Sequence, residues 1–348
     1  MKNKNSGDEK KFNSPQFIPQ ARGSKGEFSR FRQFRLDPAT RDLYADVRVS
    51  ANDFIYPYFI VDGENEIQPI HSLKGISRFS IDQLLIDLKE TVALGIDKIL
   101  LFGVIENNLK DEIGSAGYDP DSLICRAVRA VKNHFPQMTI FTDVCLCEYT
   151  SHGHCGLLDG EKIDNDSSLP LLAKIALVHA QAGADFVAPS AMMDGQIQAL
   201  KDILKLNNLD TKLLAYSAKY SSNFYGPFRD AAGSAPSFGD RKTYQMDYRT
   251  KNQGLEEIAA DIDEGADWVM VKPAQTYLDI IQRASVAFPK IPLAAYQVSG
   301  EFAMLKAAAA AGLLNEEAAF LESLTAIKRA GANYIISYYA KDFVRKGL

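Results

Sequence analysis

Four times along the chain a helical pattern runs out in a glycine, followed at once by a small or branched residue and then Asp or Asn: ALGID, QAGAD, DEGAD and RAGAN. Glycine supplies the left-handed cap that turns a helix back toward a strand, so each of these is a helix-to-strand joint. The parts that such joints connect lie on either side. Short runs rich in β-branched and aromatic residues recur eight times from about residue 54 onward: DFIYPYFIV, KILLFGV, TIFTDV, DFVAPS, KLLAYS, WVMVK, LAAYQV and YIISYY. Between most of them stand patterns with apolar positions three and four apart, such as IDQLLIDLKETVALG, LPLLAKIALVHAQAG, GLEEIAADIDEG, YLDIIQRASVAF and EEAAFLESLTAIKRAG. Nearly continuous apolar strands alternating with helices dictate a parallel sheet covered by helices. Eight such units predict a closed (β/α)8 TIM barrel. The alternative, an open doubly wound sheet, would want a glycine fingerprint at the first strand-to-helix turn, where IVDGENEIQ stands instead.

A chain of 348 residues is ordinary for one such barrel with an added arm. Residues 1 to about 30, rich in Lys, Asn, Ser, Gly and Gln, hold too little apolar surface to pack alone. The expected organisation is therefore an arm over 1–50, flexible in its first thirty or so residues, and a catalytic barrel over 51–348. Arginines at 30, 32, 35, 41 and 48 read either as a solvated face or as a surface that docks on another subunit. A net charge of -5 with interspersed signs gives no basic field for a phosphate backbone, so nucleic acid is not an expected partner. No long apolar run suggests a membrane span, and MKNKNSGDEKKFNSPQ lacks the apolar segment of a secretory signal; the expected location is the cytoplasm.

In a barrel, chemistry collects at the C-terminal ends of the strands. Those ends carry Asp143, Cys145 and Cys147, then Ser190, Ser217 with Lys219, Lys272, Gln297 with Ser299, and Ser337 with Tyr338. Lys272 follows WVMV and precedes Pro273, which stops the strand and leaves the amine emerging from an apolar wall. A lone Lys-Pro would be read as a lysine reaching for solvent. Lys219, at the end of the preceding strand, changes this: desolvation and a second nearby cation both favour the free amine that attacks a ketone.

Three of the four cysteines fall in CLCEYTSHGHC. If Cys145 and Cys147 lie in an extended strand, their thiols share a side, and the glycine-containing turn can return Cys155 to the same ion. Three thiolates leave one tetrahedral position open, as a catalytic zinc requires. A structural zinc completed by His152 or His154, or simply buried thiols, are the other readings of this spacing. Downstream, about thirty residues from KYSSNFYGPFRD to DYRT lack periodicity, the mark of a lid or binding loop, and hold Arg229 and Arg241, whose forked guanidinium groups suit a carboxylate. His71, His134 and His179 are read as surface, capping or core residues, and the alanine run after Lys306 as helix.

Seven blocks, DVCLCEYTSHGHCG, APSAMMDG, SAKYSSNFYGPFRDA, FGDRKTYQMD, MVKPA, YQVSGEFAM and ISYY, in this order, resemble the porphobilinogen synthase (5-aminolevulinate dehydratase) family from about residue 30 to the C-terminus. The resemblance implies asymmetric condensation of two 5-aminolevulinate molecules to porphobilinogen, with loss of two waters, in tetrapyrrole (heme) synthesis. It implies a Schiff base on Lys272, assistance from Lys219 and Asp143, and a first carboxylate held by Ser299 and Tyr338. For the second substrate it implies Arg229 and Arg241, and it adds Tyr225 and Gln245 to the substrate-binding set. Zinc is implied on Cys145, Cys147 and Cys155, an allosteric magnesium ion (Mg2+) at Glu257, and a homo-octamer whose arms embrace neighbours. Glu148 and Ala191 stand where some relatives carry proline and aspartate. The rivals are a class I aldolase-like barrel and a non-catalytic zinc scaffold.

Overall fold

The structure, a computed structural model, describes residues 30–348. The stretch expected to be flexible lies outside the described residues, Arg30 excepted. Residues 49–348 form one compact unit, and the described residues before them, 30–48, belong to a separate one. Within 30–48 a single 3-10 turn, Arg32–Arg35, precedes a short helix, Pro38–Leu43, capped by the Asp37 side chain on the Thr40 amide; neither contains a buried residue.

The larger unit is the barrel that the sequence predicts. Its strands are β1 (Phe54–Val61), β2 (Lys98–Val104), β3 (Thr139–Val144), β4 (Phe186–Pro189), β5 (Lys212–Lys219), β6 (Trp268–Lys272), β7 (Leu293–Gln297) and β8 (Tyr334–Ser337). Each pairs in parallel with the next, and Phe54 and Ile55 of β1 pair with Ile335 and Ile336 of β8 to close the ring. The long helices are α1 (Ile81–Ala93), α2 (Leu123–His134), α3 (Asn165–Gln181), α4 (Gln196–Leu206), α5 (Gln253–Asp263), α6 (Leu278–Ala287), α7 (Ser299–Ala310) and α8 (Glu316–Arg329). Gly95, Gly183, Gly265 and Gly331, the glycines of the four joints, all have positive φ, so the caps form where the pattern places them. The alanine run lies in α7 and just beyond it.

Stacked aromatic rings close the N-terminal end of the barrel. Phe141 and Phe186 stack at 4.3 Å, Phe186 meets Trp268 at 4.8 Å, and Trp268 stacks on Tyr334 at 4.2 Å. Such pairs add about 0.5–1.5 kcal/mol each beyond their burial. With that end filled, access to the interior is from the C-terminal end, where the polar residues gather. An antiparallel hairpin, Ile67–Pro69 with Ser77–Phe79, extends the sheet beside β1, Arg78 standing opposite Phe59.

Candidate active site

Lys219 and Lys272 are direct partners in the β5–β6 ladder, which places the two amines side by side at the mouth. Both are buried. Lys219 Nζ donates to the Ser190 carbonyl at 2.5 Å. Among the described residues no oxygen accepts from Lys272 Nζ; ring faces surround it instead, Tyr296 at 4.2 Å, Tyr216 at 5.0 Å, Phe228 at 5.1 Å and Tyr225 at 5.4 Å. Burial first and the Lys219 charge second push the Lys272 amine down to about 7, with Asp143 pulling the other way. Asp143, at the end of β3, accepts from Ser190 Oγ at 3.0 Å through one oxygen while the other is unpartnered; burial lifts it to about 6 against the two lysines.

The three cysteine sulfurs lie within 4.8 Å of one another, all buried, with Cys145 and Cys147 at 3.2 Å. The route to this cluster differs from the extended strand anticipated. β3 stops at Val144, and the amides of Tyr149 and Thr150 turn back onto the Leu146 carbonyl at 2.9 Å, so a tight turn brings Cys147 round to Cys145. Strand pairing ends at the same level in the neighbouring β4, where Val144 stands opposite Pro189 and the Ser190 amide makes the last bond, to the Val144 carbonyl at 3.1 Å. Hydrogen bonds from Cys145 and Cys147, together with the Arg241 and Lys219 charges, hold the Cys155 thiol well below its ordinary range, whereas burial drives Cys145 upward. The trio is the only compact set of three or more metal-binding side chains among the described residues. This donor set fits a soft divalent cation such as zinc. Neither histidine of the motif completes it: His154 meets the Tyr244 hydroxyl at 3.2 Å and the Phe238 carbonyl at 3.1 Å, and His152 faces the Glu112 carbonyl and the His154 amide.

The aperiodic segment after β5 lies over this mouth. Its ends are joined by a bridge between Tyr220 and Met246, and it contains a 3-10 turn, Asn223–Tyr225, and a short helix, Gly226–Ala231. Arg241 is buried, donating to the Gly153 and Ser234 carbonyls at 2.9 and 2.6 Å, with its Nε unpartnered; Arg229 is half-buried and its Nε is also unpartnered. Gln245 is buried with both side-chain polar atoms unpartnered. Unsatisfied buried donors of this kind mark a place made for a polar guest. Two glycines permit the close approach of this cover. A Cβ on Gly153, which has φ +70°, would meet the Ala235 carbonyl oxygen at 2.4 Å, and one on Gly300 would meet Phe224 backbone at 2.6 Å.

The remaining strand-end residues divide. Tyr338 meets Tyr296 hydroxyl to hydroxyl at 3.1 Å, and Tyr225 donates to the Tyr220 and Lys272 carbonyls at 2.7 and 3.2 Å, so both belong to the lysine pocket. Ser299 Oγ accepts from the Phe228 amide at 2.9 Å and donates to the Phe224 carbonyl at 3.2 Å, tying the end of β7 to the cover. Ser217 does not join the site. An irregularity between Val269 and Val271 sets an extra residue on β5, so Tyr216 and Lys219 face the mouth while Ser217 faces α5 and Asp261. Gln297 and Ser337 are spent on each other at 2.7 Å, with Gln297 also bonded to Ser323. Glu257 lies outside the mouth on α5, bonded by Gln253 at 3.4 Å near Asp194, Asp261 and Glu264. His134 contacts the Ala130 carbonyl, and His179 is buried in α3.

Sequence reading missed Glu301. Its buried carboxylate accepts from the amides of Gln275 at 2.6 Å, Val298 at 2.8 Å and Ala274 at 3.4 Å, locking the turn after Lys272 to the start of α7. The signal was present as an acidic residue in the first turn of a helix, three positions beyond Val298.

Comparison with known proteins places this geometry in a family. The family model described as delta-aminolevulinic acid dehydratase matches residues 28–346. The delta-aminolevulinic acid dehydratase of Bacillus subtilis (strain 168) is 45% identical over 90% of this chain and 97% of its own length, and that of Methanothermus sociabilis is 45% identical over 92% and 99%. The crystal structure of the Toxoplasma gondii ME49 enzyme, in complex with its product porphobilinogen, superposes with a TM-score of 0.89 at 42% identity, covering 92% of this chain and 91% of that one. The aldolase-like and scaffold alternatives give way to these matches, and the chain belongs to the delta-aminolevulinic acid dehydratase family.

Proposed function

We propose that this chain is a porphobilinogen synthase, a lyase that condenses two molecules of 5-aminolevulinate and expels two waters, working through a Schiff base on Lys272. The observation that carries the mechanism is the ladder pair Lys219–Lys272, one amine hydrogen-bonded to a carbonyl and the other set among aromatic ring faces. A neutral amine at Lys272 Nζ attacks the ketone of the first substrate, and the carbinol loses water to give the imine. Asp143, between the lysines and the cysteines in its charge interactions, accepts and returns protons, and Lys219 assists at the same carbon. Tyr338 and Ser299 hold the first carboxylate, Ser299 turning its hydroxyl proton from the Phe224 carbonyl to the carboxylate while still accepting from the Phe228 amide. Arg229 and Arg241, with Tyr225 and Gln245 beside them, bind the second molecule, their unpartnered nitrogens being the available donors.

Cys145, Cys147 and Cys155 would hold zinc, which when bound supplies a Lewis acid that polarises or orients the second molecule. Magnesium at Glu257 belongs to the proposal only as an outer site. Among the described residues no three-ligand set forms there, so an ion held by these residues alone would keep most of its waters. The proposal includes a cytoplasmic setting, which suits four unpaired cysteines, and a homo-octamer formed through the arm. Among the described residues no helix is long and apolar enough to cross a membrane.

The test is direct. Protein incubated with 5-aminolevulinate, zinc and a thiol reductant should yield a pyrrole, and borohydride added during turnover should label Lys272. Absence of pyrrole overturns the activity, and labelling confined to other lysines overturns the mechanism. Cys147→Ala should drop bound zinc from about one per chain toward none and abolish turnover while the far-ultraviolet dichroism stays unchanged; loss of the fold would make the metal structural.

A further inference from the structure

The cover over the mouth is fastened from outside the site. Arg78 Nε donates to the Ala231 carbonyl at 2.7 Å and its Nη2 to the Asp230 carbonyl at 2.6 Å. These are the last two carbonyls of the short helix Gly226–Ala231; that of Asp230 also accepts from the Gly233 amide at 3.3 Å, so Arg78 adds to the helix's own closing turn. A few residues on, Lys110 Nζ donates to the Gly233 carbonyl at 2.7 Å. Ser72 adds hydrogen bonds to the Pro227 carbonyl at 3.2 Å and the Asp230 carboxylate at 2.5 Å. All three anchors come from elements 120 or more positions away in sequence.

We propose that Arg78, seconded by Lys110, is the latch that holds the segment 221–245 closed over the lysines and thereby places Arg229, so that it sets capture of the second substrate without touching substrate. Three features support this. Arg78 is rigidly mounted, since its hairpin strand pairs with β1 opposite Phe59. Its planar fork takes two adjacent carbonyls at once, a geometry that lysine cannot reproduce. The carbonyls it grips follow Arg229 immediately, and the Arg229 carbonyl is itself held by the Ser234 amide at 3.1 Å, so freeing residues 230 and 231 frees Arg229. Because the grip is on main chain, the side chains of the cover remain free to face the pocket. Arg78 and Lys110 are thus positioning residues.

The latch rests on the catalytic reading above for its kinetic consequence, though its structural consequence can be measured without it. In the full-length protein, amide hydrogen exchange of peptides spanning 226–240 should rise roughly ten-fold in Arg78→Met, with exchange in α1–α8 unchanged. Lys110→Met should raise it less, and Arg78→Lys, which keeps the charge but donates from a single nitrogen, should fall between Arg78→Met and the parent. The KM for 5-aminolevulinate should rise several-fold in the same order, with kcat altered far less. Unchanged exchange at 226–240, or an increase spread evenly over the barrel helices, overturns the latch. If the parent protein forms no pyrrole, the catalytic reading falls and hydrogen exchange alone decides the latch.

Discussion

Lys272 is held in a state that a lysine in water does not reach. At pH 7 an ordinary lysine is neutral in roughly one molecule in 2500. Here, with the amine brought down to about 7, half the population is nucleophilic. Borohydride trapping should therefore climb ten-fold per pH unit below about pH 6 and level off above about pH 8, whereas an unshifted lysine would still be climbing at pH 9. The same shift costs stability, and its sign follows from proton counting. Between about 7 and 10.5 the unfolded chain binds the proton that the folded one has shed, so stability rises with pH across this window. Lys272→Met should then be more stable than the parent at pH 7 by up to about 4 kcal/mol in denaturant unfolding, a gain that shrinks toward pH 10. A destabilised Lys272→Met would show that the amine is satisfied in the fold. Glu301 presents the opposite case, a buried anion that organises main chain. Burial pushes its carboxyl up to about 7 against the amides that favour the charge. Glu301→Gln would turn an N–H toward an N–H, which should cost about 1–3 kcal/mol of stability and lower the trapping rate at Lys272, since the turn after that residue loses its anchor.

Among elements, legibility in the sequence followed how local the cause was. The eight strands and the capped joints were readable because hydrophobic periodicity and left-handed glycines act over a few residues. Helix α2, LICRAVRAVKNH, and helix α4, QIQALKDILKL, are absent from the patterns read in the sequence although each keeps an unbroken apolar face, Ile124, Val128 and Val131 in one and Ile197, Leu200 and Leu204 in the other. The lysine pair and the cysteine trio were also legible, as strand-end residues must meet in a barrel. What escaped was set by pairing at a distance. The extra residue on β5 that turns Ser217 outward is a property of two strands together, and the turn at Cys147 begins where the pairing of β3 with β4 ends. Equally hidden was the close seating of the cover on Gly300, which involves residues about seventy-five apart. That seating makes an element-scale prediction. Gly300→Ala would thrust a methyl into Phe224 backbone on one side and the start of α7 on the other, neither a flexible neighbour. The cover should be displaced at a cost of about 1–3 kcal/mol, lowering kcat/KM ten-fold or more, while thermal unfolding of the barrel changes little. A crystal structure of the variant with the cover in place would contradict this.

For the molecule as a whole, the barrel and the segment before it pose opposite physical problems. Residues 49–348 bury a continuous core closed at one end by stacked rings. Residues 30–48 bury nothing of their two short elements and leave Phe31, Leu36, Leu43 and Tyr44 between 50% and 78% exposed. Four large apolar side chains within fourteen residues, interspersed with arginines, make a surface whose exposure is costly and whose composition matches the aromatic and arginine enrichment of protein interfaces. The occupant we propose is another copy of this chain, in line with the octamer put forward above. Removing residues 1–48 should therefore leave a barrel that folds, with dichroism and Lys272 trapping retained, but whose mass by light scattering falls from that of the parent assembly toward a dimer or monomer. The milder change Leu36→Asp with Leu43→Asp should act in the same direction, because burying two carboxylates in an apolar contact costs several kcal/mol per pair of copies. If both variants keep the parent mass, the arm is not what joins the copies, and the association must run through the barrel's own helices.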